Sequence, residues 1–326
     1  MLMSRFLSTG SPLILRNAEA SAGLHYNSPA RLWNNGDMTN SCDPATLSHA
    51  RVIDELTKII SCAAAAVVAI DQSKAQWRAK PDLSPVSAAD EAANAVIVQG
   101  LSQLLPGVPI VSEEETAHEK PSALGACFAL VDPLDGTREF LAGRDEFTVN
   151  IAIVVDGRPI VGLIAAPALR LVWRGIVGRG TERLRLAAGA EPHQASEICP
   201  VRTREARPEG FVAAVSRSHF DAQTDAFLKQ LPIAAQVSCG SSLKFCRIAE
   251  GSVDLYARLA RTCEWDVAAG HAILAAAGGV VTTPDGAELV YGRTDEFHIP
   301  AFIAWGDPRA AQKFFGRSLA TRPTSR

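Results

Sequence analysis

The stretch FALVDPLDGTREFL, residues 128–141, decides how this chain reads. An apolar run from Ala126 to Val131 predicts a strand, and Asp132 and Asp135 follow at once beside Pro133 and Gly136. One reading is an ordinary turn, since Asp, Pro and Gly are favoured there for backbone reasons alone. The other is a strand that aims carboxylates at a hard divalent cation, which prefers oxygen ligands and commonly keeps substrate phosphate oxygens as well. Pro133 would stiffen such a turn. Gly136 would let a ligand approach the backbone closely. Thr137 adds a hydroxyl, and amides at a following helix start could hold an anion.

Other carboxylates stand in comparable settings. Glu113 follows an apolar run in IVSEEE, read as a short strand ending in three glutamates. Asp266, in EWDVAAGHAIL, has the position of a helix N-cap, but an aspartate at a helix start can also project into a cleft. Asp90, in SPVSAADEAANAVI, is a first-turn acid favoured by the helix dipole, on a helix that Ser87 can cap. His271 lies five residues after Asp266 on one predicted helix, far from eclipsed at 3.6 residues per turn, and reads as structural.

The whole chain of 326 residues has room for one large or two moderate domains. Its composition, 47% hydrophobic and 21% charged, suits a substantial core. A net charge of −3 without a long basic run excludes a nucleic-acid polymer as the expected partner. No apolar run has the length of a membrane span. Seven cysteines, an odd number without a C-x-x-C pair, read as reduced thiols rather than a disulfide framework, and imply a cytoplasmic protein. Residues 1–37 differ in composition from the rest. They read either as a disordered tail or as sequence upstream of a true start at Met38. The motifs of serine hydrolases, P-loop NTPases and zincins are absent.

Helical spacing runs from Pro44 to Ile70, then again from Ala88 through Asn94, Ile97, Leu101 and Leu104. Residues 147–178 read as consecutive strands with a turn at Asp156–Gly157. The polar stretch 188–207 is the candidate domain boundary. Strands at 210–216, 234–239 and 253–260 then alternate with helices near 221–230, 242–249 and 265–277, the last stopped by Gly278–Gly279. The organisation expected is an extension over 1–43, an N-terminal half over 44–190 with most of the carboxylates, a C-terminal half over 191–310, and a tail over 311–326. Mixed elements in two halves predict a layered α/β architecture.

The ordered set S-x-A-D, S-E-E, D-P-L-D-G-T and W-D-x-A-A-G resembles the lithium-sensitive, magnesium-dependent inositol monophosphatase superfamily, from about residue 50 to about residue 305. The segments DPLDGTREF, FTVNIAIV, SRSH and GSSLKFC are similar to its bacterial CysQ branch, which removes the 3′-phosphate from adenosine 3′,5′-bisphosphate (PAP). Arg138–Glu139–Phe140 resembles the nucleotidase form of the motif rather than the inositol form. The resemblance implies an αβαβα sandwich, two or three Mg²⁺ ions, lithium sensitivity and a place in sulfate assimilation through PAP recycling. It implies metal ligation by Glu113, Asp132, Asp135, Asp266 and the Leu134 carbonyl, with Glu113 also catalytic and Glu113, Leu134 and Asp266 also in contact with the substrate. Asp90 would serve a further metal and orient the attacking water with Thr137. Asp135, Gly136 and Thr137 would hold the scissile phosphate, while His219, Ser241, Lys244 and Arg258 would contact the rest of the nucleotide.

Ser241 and Lys244, three apart, would share one helix face. Alternatives are an inositol-1-phosphate or other sugar-phosphate phosphatase of the same superfamily, and a catalytically silent binding protein, which a missing metal carboxylate would mark. Every expected carboxylate is present. A monomer and a homodimer both remain open. Some members of the branch are described as peripheral to the inner membrane, and no basic amphipathic helix here demands it.

Overall fold

A computed structural model describes residues 43–47, 49–75, 77–80, 85–116, 124–218, 221–294 and 296–316. The N-terminal extension, except its last residue, and the candidate His219 lie outside these.

The chain begins with helices α1 (Pro44–Leu47) and α2 (Ala50–Val68). The one helix expected over 44–70 is two, because His49 takes an extended backbone and caps α2, its ring accepting a hydrogen bond from the Arg51 amide. A small hairpin, β1 (Trp77–Ala79) and β2 (Pro85–Ser87), leads into α3 (Ala88–Leu104). Strand β3 (Ile110–Ser112) ends one residue before the glutamates, which form a single helical turn, α4 (Glu113–Thr116), rather than the strand end expected of them. Strand β4 (Cys127–Asp135) runs into α5 (Thr137–Leu141). Strands β5 (Thr148–Val155), β6 (Arg158–Ala166), β7 (Leu171–Ile176), β8 (Gly180–Arg185) and β9 (Glu197–Val201) follow.

These form a seven-stranded sheet in the order β3-β4-β5-β6-β7-β8-β9, antiparallel except for β3 on β4. Asp156 and Gly157 both have positive φ, as a tight hairpin turn requires. The stretch 188–207 is not a plain linker. It holds β9, hydrogen-bonded to β8, so a division at residue 190 would cut this sheet.

The second part comprises β10 (Phe211–Ser216), α6 (Ala222–Leu228), β11 (Ile233–Cys239), α7 (Leu243–Ala249), β12 (Leu255–Arg258), β13 (Thr262–Cys263), α8 (Ala268–Ala276), β14 (Val280–Thr282), β15 (His298–Ile299), β16 (Phe302–Trp305) and α9 (Pro308–Phe315). Its main sheet has the order β11-β10-β12-β16-β14. The expected tail beginning at 311 therefore opens inside a helix, which Asp307 caps and whose Ala311 is buried.

Three apolar cores stack these elements. Along β4, Ala129 and Val131 face α2 and α3, whereas Phe128 and Leu130 face the other way, toward α7 and α8. This is the period-2 alternation of a strand covered on both sides. Helices α7 and α8 lie between the two sheets, and α6 and α9 cover the outer face of the smaller one. The order is α-β-α-β-α, the sandwich expected. Ile151 and Ile153 on β5 are fully buried. Truncating either to alanine would cost about 2–5 kcal/mol.

No helix among the described residues is long and apolar enough to cross a membrane. Cys62, Cys199, Cys239, Cys246 and Cys263 are free, as expected. Cys127 departs from the reduced-thiol reading, since it is disulfide-bonded.

Candidate active site

Asp132 and Asp135 share a side of the molecule because of a bulge. On a regular strand, residues three apart point to opposite faces. Here Asp132 pairs with Asn150 and Asp135 with Thr148, so β4 uses one more residue than β5 across that interval. The extra residue, in the Pro133–Leu134 step, brings both carboxylates to one cleft. Asp132 also accepts a hydrogen bond from the Leu134 amide at 3.1 Å, which tightens the turn. Gly136 follows with φ 91°, a left-handed conformation that favours glycine, and turns the chain into α5.

The cleft, of roughly 350 Å³, is lined by Glu113, Asp132, Leu134, Asp135, Gly136, Thr137, Asp266, Ser241, Lys244 and Arg258. Asp90 stands just behind it. One Asp90 oxygen accepts from both the amide and the hydroxyl of Ser87, which forms the capping box of α3. The other lies 3.0 Å from the Thr137 hydroxyl, a contact spanning 47 residues of sequence. The cap role of Asp90 and a role toward Thr137 are therefore one arrangement.

Each remaining carboxylate has a protein partner. Lys80 donates to Glu113 and to Glu114, both at 2.7 Å. Asp135 accepts from the hydroxyls of Ser241, at 2.9 Å, and Ser242, at 2.7 Å. Asp266 does not cap α8, whose N-cap is Val267. Its carboxylate turns back to accept from the Thr262 hydroxyl and the Cys263 amide. Among the described residues, no group of three or more His, Cys, Asp or Glu side chains is placed, as it stands, to hold a metal ion.

The electrostatics show what these partners leave unbalanced. Burial first, then repulsion from Asp266 and Glu114, pushes the Glu113 carboxyl up to about 8 against the pull of Lys80. Burial and the neighbouring Glu113, Asp135 and Asp266 raise Asp132 well above the usual carboxylate range. Burial and Asp135 likewise raise Asp266, against Arg258 and Thr262. Buried carboxylates that repel one another suit a bound divalent cation, which supplies the missing positive charge. The donors are all oxygen, the set hard Mg²⁺-like ions take. The residues present therefore fit such an ion.

The opposite wall differs from its expected geometry. Ser241 and Lys244 do not share a helix face. Ser241 precedes α7 and has φ 54°, because its hydroxyl is drawn to Asp135 and Thr148. Lys244 is buried, donates to the Ser241 and Cys239 carbonyls, and lies 5.0 Å from the centre of the Tyr256 ring. It pins the loop that carries Ser241. Arg258 lies in the cleft wall with its Nε buried and unpartnered among the described residues. Burial disfavours its charge, but Tyr256 and Asp266 outweigh that and raise its pKa. His271 donates to or accepts from the Tyr291 hydroxyl at 3.0 Å, away from the cleft, in keeping with a structural role.

Sequence reasoning missed Lys80 and Ser242. Lys80 opens the segment KPDLSPVSAADEAAN, but its pairing with glutamates 33 and 34 residues further on has no local signal. Ser242, which the sequence marks only as a helix start, meets Asp135, the Asp266 carbonyl and the Asn150 amide at once.

The chain belongs to the inositol monophosphatase family, whose profile matches residues 46–316. Within it, the chain is 42% identical to the 3′(2′),5′-bisphosphate nucleotidase CysQ of Escherichia coli K12 over 227 residues, 68% of this chain and 86% of that protein. It is 30% identical to the enzyme of the same name from Haemophilus influenzae, over 76% of this chain and 88% of that one. Among solved structures, CysQ from Bacteroides thetaiotaomicron superposes with a TM-score of 0.66 at 29% identity, covering 80% of this chain and 98% of its own. The suhB protein of Bartonella henselae, at 23% identity and a TM-score of 0.64, shares the fold.

Proposed function

We propose that this protein is a Mg²⁺-dependent 3′(2′),5′-bisphosphate nucleotidase that hydrolyses the 3′-phosphate of PAP to give AMP and phosphate. The observation that carries the reading is the convergence of Glu113, Asp132, Asp135 and Asp266 on a cleft whose other wall offers Arg258 and the 239–242 loop. The similarity to CysQ proteins over most of the chain directs it to a nucleotide.

Glu113, Asp132, Asp135, Asp266 and the Leu134 carbonyl would hold the ions, two or three in number. Bound Mg²⁺ supplies charge neutralisation at the phosphate and a more acidic water. The residues do the positioning that phosphoryl transfer chiefly needs. Thr137 spends its proton on Asp90 or the Leu134 carbonyl, so its oxygen is left to accept a hydrogen bond from the attacking water. Asp90, held by Ser87, fixes that hydroxyl and can take up the proton. Asp135, Gly136 and Thr137 would hold the scissile phosphate. Ser241, Lys244 and Arg258, with His219, would meet the second phosphate and the base, Lys244 acting through the loop it pins. The five free thiols speak for a cytoplasmic location, and the Cys127 disulfide speaks against it. A place in PAP recycling follows from the substrate.

Phosphate release from PAP and from inositol 1-phosphate, each with Mg²⁺ and with a chelator, tests the reading. Mg²⁺-dependent release with PAP preferred is expected. Faster hydrolysis of the inositol ester would overturn the substrate, and release that survives chelation would overturn the metal.

A further inference from the structure

Residue 146 lies between the two loops that frame the cleft. Its backbone carbonyl is 3.3 Å from where a Cβ on Gly136 would sit and 2.7 Å from where one on Gly240 would sit. Both glycines thus close against Glu146, one from the corner that follows β4 and the other from the loop that follows β11. Its side chain ties the same parts together. A single carboxylate oxygen accepts from Arg217 Nε at 3.0 Å, Arg217 Nη2 at 2.7 Å and the Gly240 amide at 2.9 Å. Arg217 also reaches the Ser238 carbonyl on β11. A second tie runs alongside, from Ser218 to the buried Glu139 on α5.

Glu139 and Glu146 both belong to the segment between β4 and β5, on the seven-stranded sheet. Arg217, Ser218 and Gly240 belong to the five-stranded sheet, at the ends of β10 and β11. An ion pair this exposed contributes little by itself. A carboxylate oxygen that gathers a guanidinium fork and a backbone amide is a different case, because it fixes geometry as well as charge. Gly240 is followed directly by Ser241 and Ser242, the partners of Asp135. Any drift of the 240 loop therefore moves the substrate wall relative to the carboxylates.

We infer that Glu146 is a positioning residue for substrate specificity: with Arg217 and Gly240 it clamps the wall that receives the non-reacting part of the nucleotide against the wall that does the chemistry. The inference rests on the nucleotidase reading above. Glu146 does not line the cleft, so it acts through the loops and not on the ester. A contact to a non-reacting group that is equally strong in ground state and transition state is lost in KM with kcat unchanged, and this is the signature expected of a wall that only receives that group.

The test is steady-state kinetics of full-length Glu146→Ala, Glu146→Gln and Arg217→Gln on PAP with saturating Mg²⁺. Glu146→Ala should raise KM about tenfold with kcat within about threefold. Glu146→Gln keeps an acceptor for the Gly240 amide and should raise KM less. Arg217→Gln, at an exposed side chain that cannot unfold the core, should raise KM about threefold even if Glu146→Ala fails to fold. A KM within twofold of the parent for Arg217→Gln and for any folded Glu146 variant would falsify the clamp, as would a loss confined to kcat. A parent that does not turn over PAP would overturn the nucleotidase reading, and the clamp's role with it. An active parent with unmoved variants overturns the clamp alone.

Discussion

The wall of the cleft built on the seven-stranded sheet carries Glu113, Asp132 and Asp135, while the facing wall carries Arg258, Ser241 and the loop pinned by Lys244. The first wall is acidic, and burial and mutual repulsion raise Glu113 and Asp132. It is unfavourable without an added cation. In the second, hydroxyls meet Asp135 and Lys244 meets carbonyls, while Arg258 Nε is buried without a partner among the described residues. The acidic wall is poised to gain from a cation, whereas the facing wall is held in shape by its own hydrogen bonds.

Asp135→Asn on the acidic wall and Asp266→Asn, between β13 and α8, each remove a carboxylate from the cleft outright. Each should lower Mg²⁺-dependent phosphate release by about a thousandfold or more, since a full charge is removed where charge must be stabilised. Circular dichroism and thermal melting should show the fold retained; near-normal turnover in both would dissolve the distinction between the walls.

Lys80→Ala sharpens it. In chelator this variant should lose about 3 kcal/mol of stability by denaturant titration, because Glu113 and Glu114 lose the cation they share. Saturating Mg²⁺ should recover most of that loss. An equal loss with and without Mg²⁺ would mean that Lys80 stabilises something other than the acidic wall.

The pH dependence of the ion-free protein is a smaller effect with a definite sign. Glu113 titrates near 8 when folded and near 4.5 in its ordinary state. Between those values the folded protein holds a proton that the unfolded chain has released, so stability falls as pH rises through the interval. Denaturation midpoints in chelator at the two ends should differ in that direction, and Mg²⁺ should flatten the difference. A rise in stability with pH would mean that the carboxylates are not raised.

Ser87→Ala is the mildest change. It should cost about 1 kcal/mol through the lost α3 cap and slow turnover by releasing Asp90 from its hold on Thr137. A stability loss with full activity would leave Asp90 as a cap only.

Much of the acidic wall was legible in the sequence. A strand, a stiff turn with glycine and a helix start are short-range features, and DPLDGT writes them within one segment. The capping box at Ser87 was legible for the same reason. Glu113 is legible, but as a strand end rather than the first residue of a helical turn, because the apolar run before it draws the strand reading past the point where the glutamates favour a helix. The facing wall was read less well. Ser241 and Lys244 were placed on one helix face from their spacing, and the pull of Asp135 on Ser241, from 106 residues away, took the serine out of the helix.

The sequence by itself determined the layered α/β class, the corner after β4 and the carboxylates that line the cleft beside it, because periodicity and turn chemistry act over a few residues. Only the tertiary structure decided that a β-bulge turns Asp132 and Asp135 to one side, that Lys80 reaches Glu113, and that Glu146 ties Arg217 to Gly240. Those contacts join segments 33, 71 and 94 residues apart. No local preference encodes them; they exist because the two sheets pack against α7 and α8 and bring their edges to one cleft.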